Sequence, residues 1–97
     1  MLEIIFSKSA TDSLIEQAFY IYKNSKNIDM SDKYLDEMRD FIVSTLSSFP
    51  KAGRPSDELM LNSRKLVYKG YSIIYQIETE RINILALYRE NSITREQ

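Results

Sequence analysis

The sequence predicts an α+β domain: an N-terminal strand, an antiparallel helix hairpin, and a three-stranded antiparallel meander, with the helices packed on one face of a twisted sheet. Apolar residues recur first at the 3.6-residue spacing of helices, and after residue 63 they alternate with polar residues as in strands. Both prolines, Pro50 and Pro55, lie between these two regions together with Gly53. Breakers concentrated at one place indicate a turn from helix to sheet.

The N-terminal third predicts one strand followed by one helix. LEIIF, residues 2–6, is an apolar run typical of a strand buried on both faces. The hydroxyl of Ser7 can then cap a helix by accepting a hydrogen bond from an amide near Ala10. Apolar residues at helical spacing predict that this helix runs from about Lys8 to about Ser25, with an apolar stripe formed by Ala10, Leu14, Ala18, Ile21 and Tyr22.

A second helix is predicted over about 31–48, after the short polar turn NSKNID, with Asp29 or Ser31 as its cap. Two helices joined by a short polar loop form an antiparallel hairpin. Pro50 ends the second helix because its ring excludes a helical N–H. The predicted apolar stripe is Tyr34, Leu35, Met38, Phe41, Ile42, Leu46 and Phe49.

Three runs in the last third, 64–68, 71–77 and 81–87, predict the meander strands. In the middle strand Tyr71, Ile73, Tyr75 and Ile77 alternate with Ser72, Ile74 and Gln76. One face is therefore expected to pack on the helices, and the other to be partly polar. We expect one domain over residues 1–97, with a polar tail from about residue 90 that is partly disordered.

Composition excludes several classes of chemistry. The chain contains no cysteine and no histidine, which removes disulfides, thiolate catalysis, imidazole acid–base catalysis and the usual zinc sites. No nucleotide-binding motif is present, and Asp32, Asp36 and Asp40 share the i, i+4 spacing of a solvated helix face. We therefore expect no cofactor and no metal. No apolar run is long enough for a membrane span and no signal peptide is evident, so we expect a cytoplasmic protein without membrane contact.

Charge is distributed unevenly although the net charge is only −1. That net charge argues against a surface built throughout for nucleic acid, and no sequence-specific nucleic-acid binding by the chain alone is expected. Residues 29–40 are mainly acidic. Residues 51–69 hold five cations against two carboxylates: Lys51, Arg54, Arg64, Lys65 and Lys69 against Asp57 and Glu58. The pattern indicates either a polarised functional surface or two ordinary solvated faces.

The candidate functional residues are cationic or phenolic. Arg64 in the first meander strand and Arg89 after the last lie on either side of the middle strand and could approach each other. With Lys65, Lys69 and Tyr88 they could bind a phosphate and polarise a ribose hydroxyl, or bind a carboxylate-rich partner. The alternative for Arg64 is a structural ion pair with a helix carboxylate. For the three strand tyrosines the alternative is a place in the core or half-buried in the sheet, with their hydroxyls at its edge: Tyr68, Tyr71 and Tyr75.

Several segments, taken in their order along the chain, resemble the RelE/ParE superfamily of toxins from type II toxin–antitoxin modules, and more specifically its ParE branch. They are FSKSA after the first strand, FPKAGRP (49–55), RKLVYKGYSIIYQI (64–77) and RINILAL (81–87). The resemblance implies a helix hairpin against an antiparallel sheet in which the N-terminal strand also pairs. It further implies an antitoxin partner whose C-terminal segment wraps the toxin.

The two branches of the superfamily imply different targets. RelE-like members resemble ribosome-dependent mRNA endonucleases, whereas ParE-like members poison DNA gyrase. RelE-like chains tend to be strongly basic, and this chain has a pI near 5.4. Val67 stands where those nucleases tend to carry an arginine, and Arg64 matches the arginine that opens the ParE strand. Arg89 lies near the place of a histidine that is common in ParE-like chains.

These observations favour a ParE-like toxin that acts by binding gyrase rather than by catalysis. Its target- or antitoxin-binding residues would be Arg54, Arg64, Lys65, Lys69 and Arg89. The alternative is an endoribonuclease that uses Arg64, Lys65, Tyr88 and Arg89, but without histidine its base would be a phenol or an amine, groups that ordinarily keep their protons at neutral pH. A third possibility is a family member that is silent as a toxin and retains only antitoxin binding.

Overall fold

The computed structural model describes residues 2–89, and its elements follow the predicted order with one addition. The added element is β2, a strand of two residues between the helices and the meander. The predicted α+β class is confirmed, and the predicted tail after residue 89 lies outside the described residues. The bounds are β1 Glu3–Phe6, α1 Lys8–Ser25, α2 Ile28–Ser48, β2 Arg54–Pro55, β3 Arg64–Tyr68, β4 Tyr71–Ile77 and β5 Arg81–Arg89.

The five strands form one sheet in the order β1-β5-β4-β3-β2. β1 pairs within the sheet, as the resemblance implied. Its neighbour is β5, to which it runs parallel, and every other neighbouring pair is antiparallel. The prediction that the first strand is buried on both faces was wrong. β1 lies at an edge of the sheet, where Glu3 is exposed and Ile4, Ile5 and Phe6 are only half-buried. An edge strand has a neighbour on one side only, so an apolar run is not sufficient evidence of full burial.

Ser7 ties the start of α1 to the sheet. Its hydroxyl accepts a hydrogen bond from the amide of Ala10 at 3.0 Å, as predicted, and donates one to the carbonyl of Leu85 at 3.0 Å. Leu85 is the extra residue of a bulge in β5, because Ile84 pairs with Tyr75 while Ala86 pairs with Ile74. One serine therefore caps the helix and fixes its position over β5.

The link between α1 and α2 is shorter than predicted. Lys26 follows the last residue of α1 and caps the helix. It adopts the left-handed conformation, with φ 59°, and its amide donates to the carbonyl of Tyr22. Asn27 then caps α2 by accepting from the amides of Asp29 and Met30, so the helix begins at Ile28 rather than near residue 31. The predicted caps, Asp29 and Ser31, lie inside the helix because Asn27, an equally suitable cap, precedes them.

The core lies between the helix hairpin and one face of the sheet. It joins the two helical stripes to the inward residues of β3, β4 and β5: Ala10, Leu14, Met38, Ile42, Leu46, Leu66, Ile73, Tyr75, Ile82, Ile84 and Leu87. Phe41 stacks on Tyr68 with ring centroids 3.7 Å apart. Phe49, predicted to continue the α2 stripe, is 68% exposed, because α2 ends at Ser48 and the chain turns away from the core. In the part of the chain that the structure describes, no helix is long and apolar enough to cross a membrane.

Candidate functional site

A buried tyrosine holds the turn between α2 and β2. Tyr75 is fully buried in β4, and its hydroxyl donates to the carbonyl of Pro50 at 2.8 Å. The same hydroxyl accepts from the amide of Gly53 at 2.9 Å. The prediction that Tyr75 belongs to the core is confirmed, but its hydroxyl lies against the turn rather than at a solvent-exposed edge. A side chain in the middle of the meander thereby fixes a turn more than 20 residues away in sequence.

Gly53 lies in close contact with β3 and β4. A Cβ atom at this position would lie 2.8 Å from the carbonyl carbon and oxygen of Lys65, and 2.9 Å from the ring of Tyr75. The absence of a side chain at Gly53 therefore allows its backbone to approach β3 closely, and this matters more than the wider range of backbone conformations open to glycine. The glycine of the GRP segment is needed because β2 must pair with β3 directly beside it.

Arg64 is oriented towards the same turn. Its Nε atom donates to the carbonyl of Gly53 at 2.8 Å, and its Nη2 atom lies 3.5 Å from the carbonyl of Lys51. The predicted alternative for Arg64, an ion pair with a helix carboxylate, is not the contact formed. Instead its guanidinium group binds backbone carbonyls and holds the turn against β3. Arg64 also lines a cleft of about 260 Å³ with Pro55, Asp57 and other residues of the β2–β3 loop.

Arg54 is exposed and paired. Its Nη1 atom lies 2.9 Å from a carboxylate oxygen of Glu58 and 2.8 Å from the carbonyl of Pro55. The pKa of the Glu58 carboxyl is held below its ordinary value, first by a backbone hydrogen bond and then by the Arg54 guanidinium. This pair is solvated, so it contributes little to stability and leaves Arg54 accessible to a partner.

The loop between β2 and β3, residues 56–63, is closed by polar contacts at its base. The hydroxyls of Ser56 and Ser63 are buried and lie 2.7 Å apart, and the Ser56 amide donates to the Ser63 carbonyl. The Asn62 amide donates to the Asp57 carboxylate at 2.8 Å, with Asn62 in the left-handed region at φ 63°. Gln76 of β4 donates to the carbonyl of Leu61. The loop begins with Ser-Asp and ends with Asn-Ser, residue types that favour turns, so the sequence carried a signal of this closed loop that was not used.

Lys65 and Tyr88 lie on the face of the sheet away from the helices. Paired residues of an antiparallel sheet project to the same face, and here Lys65 pairs with Ile74 while Tyr88 pairs with Ser72. Neighbouring residues of one strand alternate between faces. Lys65 and Tyr88 are therefore separated from their chain neighbours Arg64 and Arg89, which project to the helix side.

Lys69 and Arg89 both contact the helix hairpin. Lys69, in the β3–β4 turn, has its Nζ atom 3.8 Å from Glu37 of α2, so the acidic and basic segments meet at this point. The guanidinium carbon of Arg89 lies 5.2 Å from the ring centroid of Tyr20 in α1, a cation–π geometry. Both cations are positioned by contacts within the chain.

The structure does not bring Arg64 and Arg89 together. Arg64 pairs with Tyr75 and Arg89 pairs with Tyr71, four residues apart in β4. With strands about 4.8 Å apart and about 3.4 Å per residue, their Cα atoms are separated by about 10 Å across and about 14 Å along the sheet. Their side chains also diverge, towards the 51–53 turn and towards α1 respectively.

The hydroxyls of Tyr34 and Tyr75 are buried and therefore poorly placed to take part in proton transfer. Burial raises the pKa of the Tyr34 phenol well above its ordinary value, and the neighbouring Tyr71, with ring centroids 5.5 Å apart, disfavours the phenolate further. Tyr75 is buried and its hydroxyl is engaged by the turn. Within residues 2–89, no group of three or more carboxylates is arranged to hold a metal ion.

Arg64→Ala is expected to lower the free energy of unfolding by about 1–3 kcal/mol while keeping the fold, because two backbone carbonyls lose their charged donor. Urea unfolding of the purified variant measures the loss. Arg54→Ala is the matched control, since it removes a solvated pair and should cost less than about 1 kcal/mol. Equal losses in the two variants would contradict the structural role of Arg64.

A family model and a solved structure both relate this chain to ParE proteins. The model of a family described as ParE toxin of type II toxin–antitoxin system, parDE, matches residues 4–92. One solved structure with a similar fold is described as the chromosomal ParDE TA system from P. aeruginosa. The similarity has a TM-score of 0.77 at 20% identity, over 94% of this chain and 98% of that chain, and at this identity it shows the fold alone. No curated protein matches the sequence.

Proposed function

The chain belongs to the ParE toxin family of type II toxin–antitoxin systems, and we propose that it inhibits growth by binding DNA gyrase and is neutralised by a cognate antitoxin. The family supports the toxin role and the existence of a partner. The choice of gyrase rests on the ParE branch of the superfamily, which the strand opened by Arg64 resembles. It also rests on how the candidate residues are arranged in the sheet.

The observation that carries the proposal is the divergence of Arg64 and Arg89. Cleavage of RNA needs a group that accepts the 2′-hydroxyl proton and cations that meet at one phosphate. Here Arg64 and Arg89 diverge on one face, while Lys65 and Tyr88 project from the other. Binding a protein target needs only a complementary surface, and cations distributed over both faces of the sheet suit that role better.

Exposed apolar residues on α1 support binding by an antitoxin. Ile15, Phe19 and Tyr22 are 58%, 62% and 41% exposed and recur at i, i+4 and i+7, so they form one stripe beside the buried one. The prediction that Tyr22 continues the stripe of Ala10 and Leu14 was therefore wrong. An amphipathic segment of a partner would bury the exposed stripe. We propose that the antitoxin covers it.

Induction of the chain in bacteria tests the gyrase proposal in cells. We expect growth arrest with a DNA-damage response, because trapped gyrase leaves broken DNA, while messenger RNA remains intact. Reporter fluorescence for the damage response and mapping of mRNA ends measure the two outcomes. Cuts at codon positions in mRNA, without a damage response, would instead favour the endoribonuclease. Normal growth at full expression of folded chain would favour a family member that retains only antitoxin binding.

A further inference from the structure

The β2–β3 loop carries three consecutive exposed apolar side chains. Leu59, Met60 and Leu61 are 49%, 46% and 73% exposed, and we call them the apolar tip. Single exposed apolar residues are ordinary on protein surfaces, whereas a consecutive run on an exposed loop favours association. None of the three belongs to the hydrophobic core. The apolar tip is therefore not explained by folding.

Hydrogen bonds hold the apolar tip in one conformation. The amides of Leu59 and Met60 both donate to the carbonyl of Ser56, and the Met60 carbonyl accepts from the Ser63 amide and hydroxyl. The Leu61 carbonyl accepts from Gln76 of β4 at 2.9 Å, which ties the tip to the sheet. Backbone groups are thus used internally, and the side chains remain exposed. A rigid protrusion loses little entropy when it binds.

We propose that the apolar tip is a binding anchor that inserts into an apolar pocket of the folded protein target of this toxin. The inference rests on the proposed function, in which such a target exists. A rigid, protruding anchor suits a pocket that is already formed in a folded partner. An antitoxin segment that orders on binding suits an extended surface, such as the exposed stripe on α1.

The charges beside the apolar tip favour a protein pocket over a lipid surface. Asp57 and Glu58 directly precede it, and both side chains are exposed. Carboxylates beside an apolar protrusion are repelled by anionic lipid, which attracts basic segments instead. Arg54, paired with Glu58 at 2.9 Å, lies beside the tip and offers a polar contact at the rim of such a pocket.

The test replaces the tip by serine in the variant Leu59→Ser/Met60→Ser/Leu61→Ser. We expect the half-inhibitory concentration against supercoiling by purified gyrase to rise at least about tenfold, with a matching loss of growth inhibition in induced cells. Affinity for the co-expressed antitoxin and the thermal midpoint should stay at the wild-type values. Because Leu61 uses only its carbonyl, Leu61→Asp provides a second variant that keeps the loop contacts. The control is Val43→Ser, at an exposed apolar position of α2 to which no binding role is assigned.

Each outcome of these assays either supports or overturns the proposal that the apolar tip is a binding anchor. Unchanged inhibition by the folded serine variant or by Leu61→Asp overturns it, as does an equal loss of inhibition in Val43→Ser. A loss of antitoxin affinity with target inhibition retained also overturns it. If the wild type arrests growth without affecting gyrase and the tip variants do not arrest growth, the proposed function fails but the tip is confirmed as an anchor for another target. If the wild type is inactive in both assays, both proposals fail.

Discussion

Ile42→Asp is expected to leave the chain unfolded at room temperature. Ile42 is fully buried in α2, within the core that joins the helix hairpin to the sheet. An aspartate there loses the apolar contacts of isoleucine and places a carboxylate without a partner in an apolar environment. The combined cost, about 4 kcal/mol or more, approaches the whole stability of a small domain. Circular dichroism and gel filtration of the purified variant measure the loss of structure.

Val43→Asp is the matched control for this substitution. Val43 is the next residue of the same helix and is 38% exposed, so a carboxylate there can remain in water. We expect a free-energy change within about 1 kcal/mol of zero, because a solvated charge on a helix surface costs little. A folded Ile42→Asp variant, or two variants equally unfolded, would contradict the assignment of Ile42 to the core.

Gly53→Ala is expected to destabilise the chain by about 3 kcal/mol or more, through overpacking against atoms that have little freedom to move. The new methyl group would lie 2.8 Å from the backbone carbonyl of Lys65 and 2.9 Å from the ring of Tyr75. Relief requires β2 to separate from β3, which also weakens the hydrogen bond from the Gly53 amide to Tyr75. Urea unfolding gives the change in the free energy of unfolding.

Gly70→Ala is the control that separates the steric effect at Gly53 from the general effect of replacing a glycine by alanine. Gly70 lies in the β3–β4 turn at φ 84°, and nothing lies within 4 Å of the position that its Cβ would occupy. Its replacement is expected to cost about 1–2 kcal/mol, the strain of a side chain in the left-handed region. A Gly53→Ala variant more stable than Gly70→Ala would show that the turn does not press against β3 as described.

The elements with strong local signals were predicted well. The Ser7 cap, the end of α2 before Pro50 and the bounds of β3 and β4 follow from hydroxyl capping, proline chemistry and period-two alternation. The errors fall where several local signals compete. Asn27 precedes two other residues that could equally cap α2, and the apolar period of α2 does not reveal that the chain leaves the core at Phe49.

The sequence offers a set of candidate residues, which stays a prediction, but it does not reveal how they are arranged in the fold. Arg64 and Lys65 are adjacent in one predicted strand, so strand alternation alone already assigns them to opposite faces. Tyr88 and Arg89 were predicted to follow the last strand, which was wrong: β5 extends to Arg89, and the two side chains therefore also project to opposite faces. The separation of Arg64 from Arg89 depends on the strand register, which the sequence does not reveal before the pairing is known. The contacts of Arg64 with the carbonyls of Lys51 and Gly53 depend on tertiary structure. The apolar tip could have been noted from the sequence, because Leu59, Met60 and Leu61 are consecutive and lie between turn-forming residues.

A supercoiling assay with purified gyrase tests most directly whether this toxin acts by binding gyrase. The folded chain is added to gyrase, relaxed plasmid and ATP, with Ile42→Asp as the unfolded control, and a parallel reaction contains translating ribosomes with a defined mRNA. We expect the folded chain to inhibit supercoiling or to accumulate gyrase-cleaved DNA, with the mRNA left intact. Undisturbed supercoiling together with cuts in the ribosome-bound mRNA would contradict gyrase binding and establish the endoribonuclease in its place.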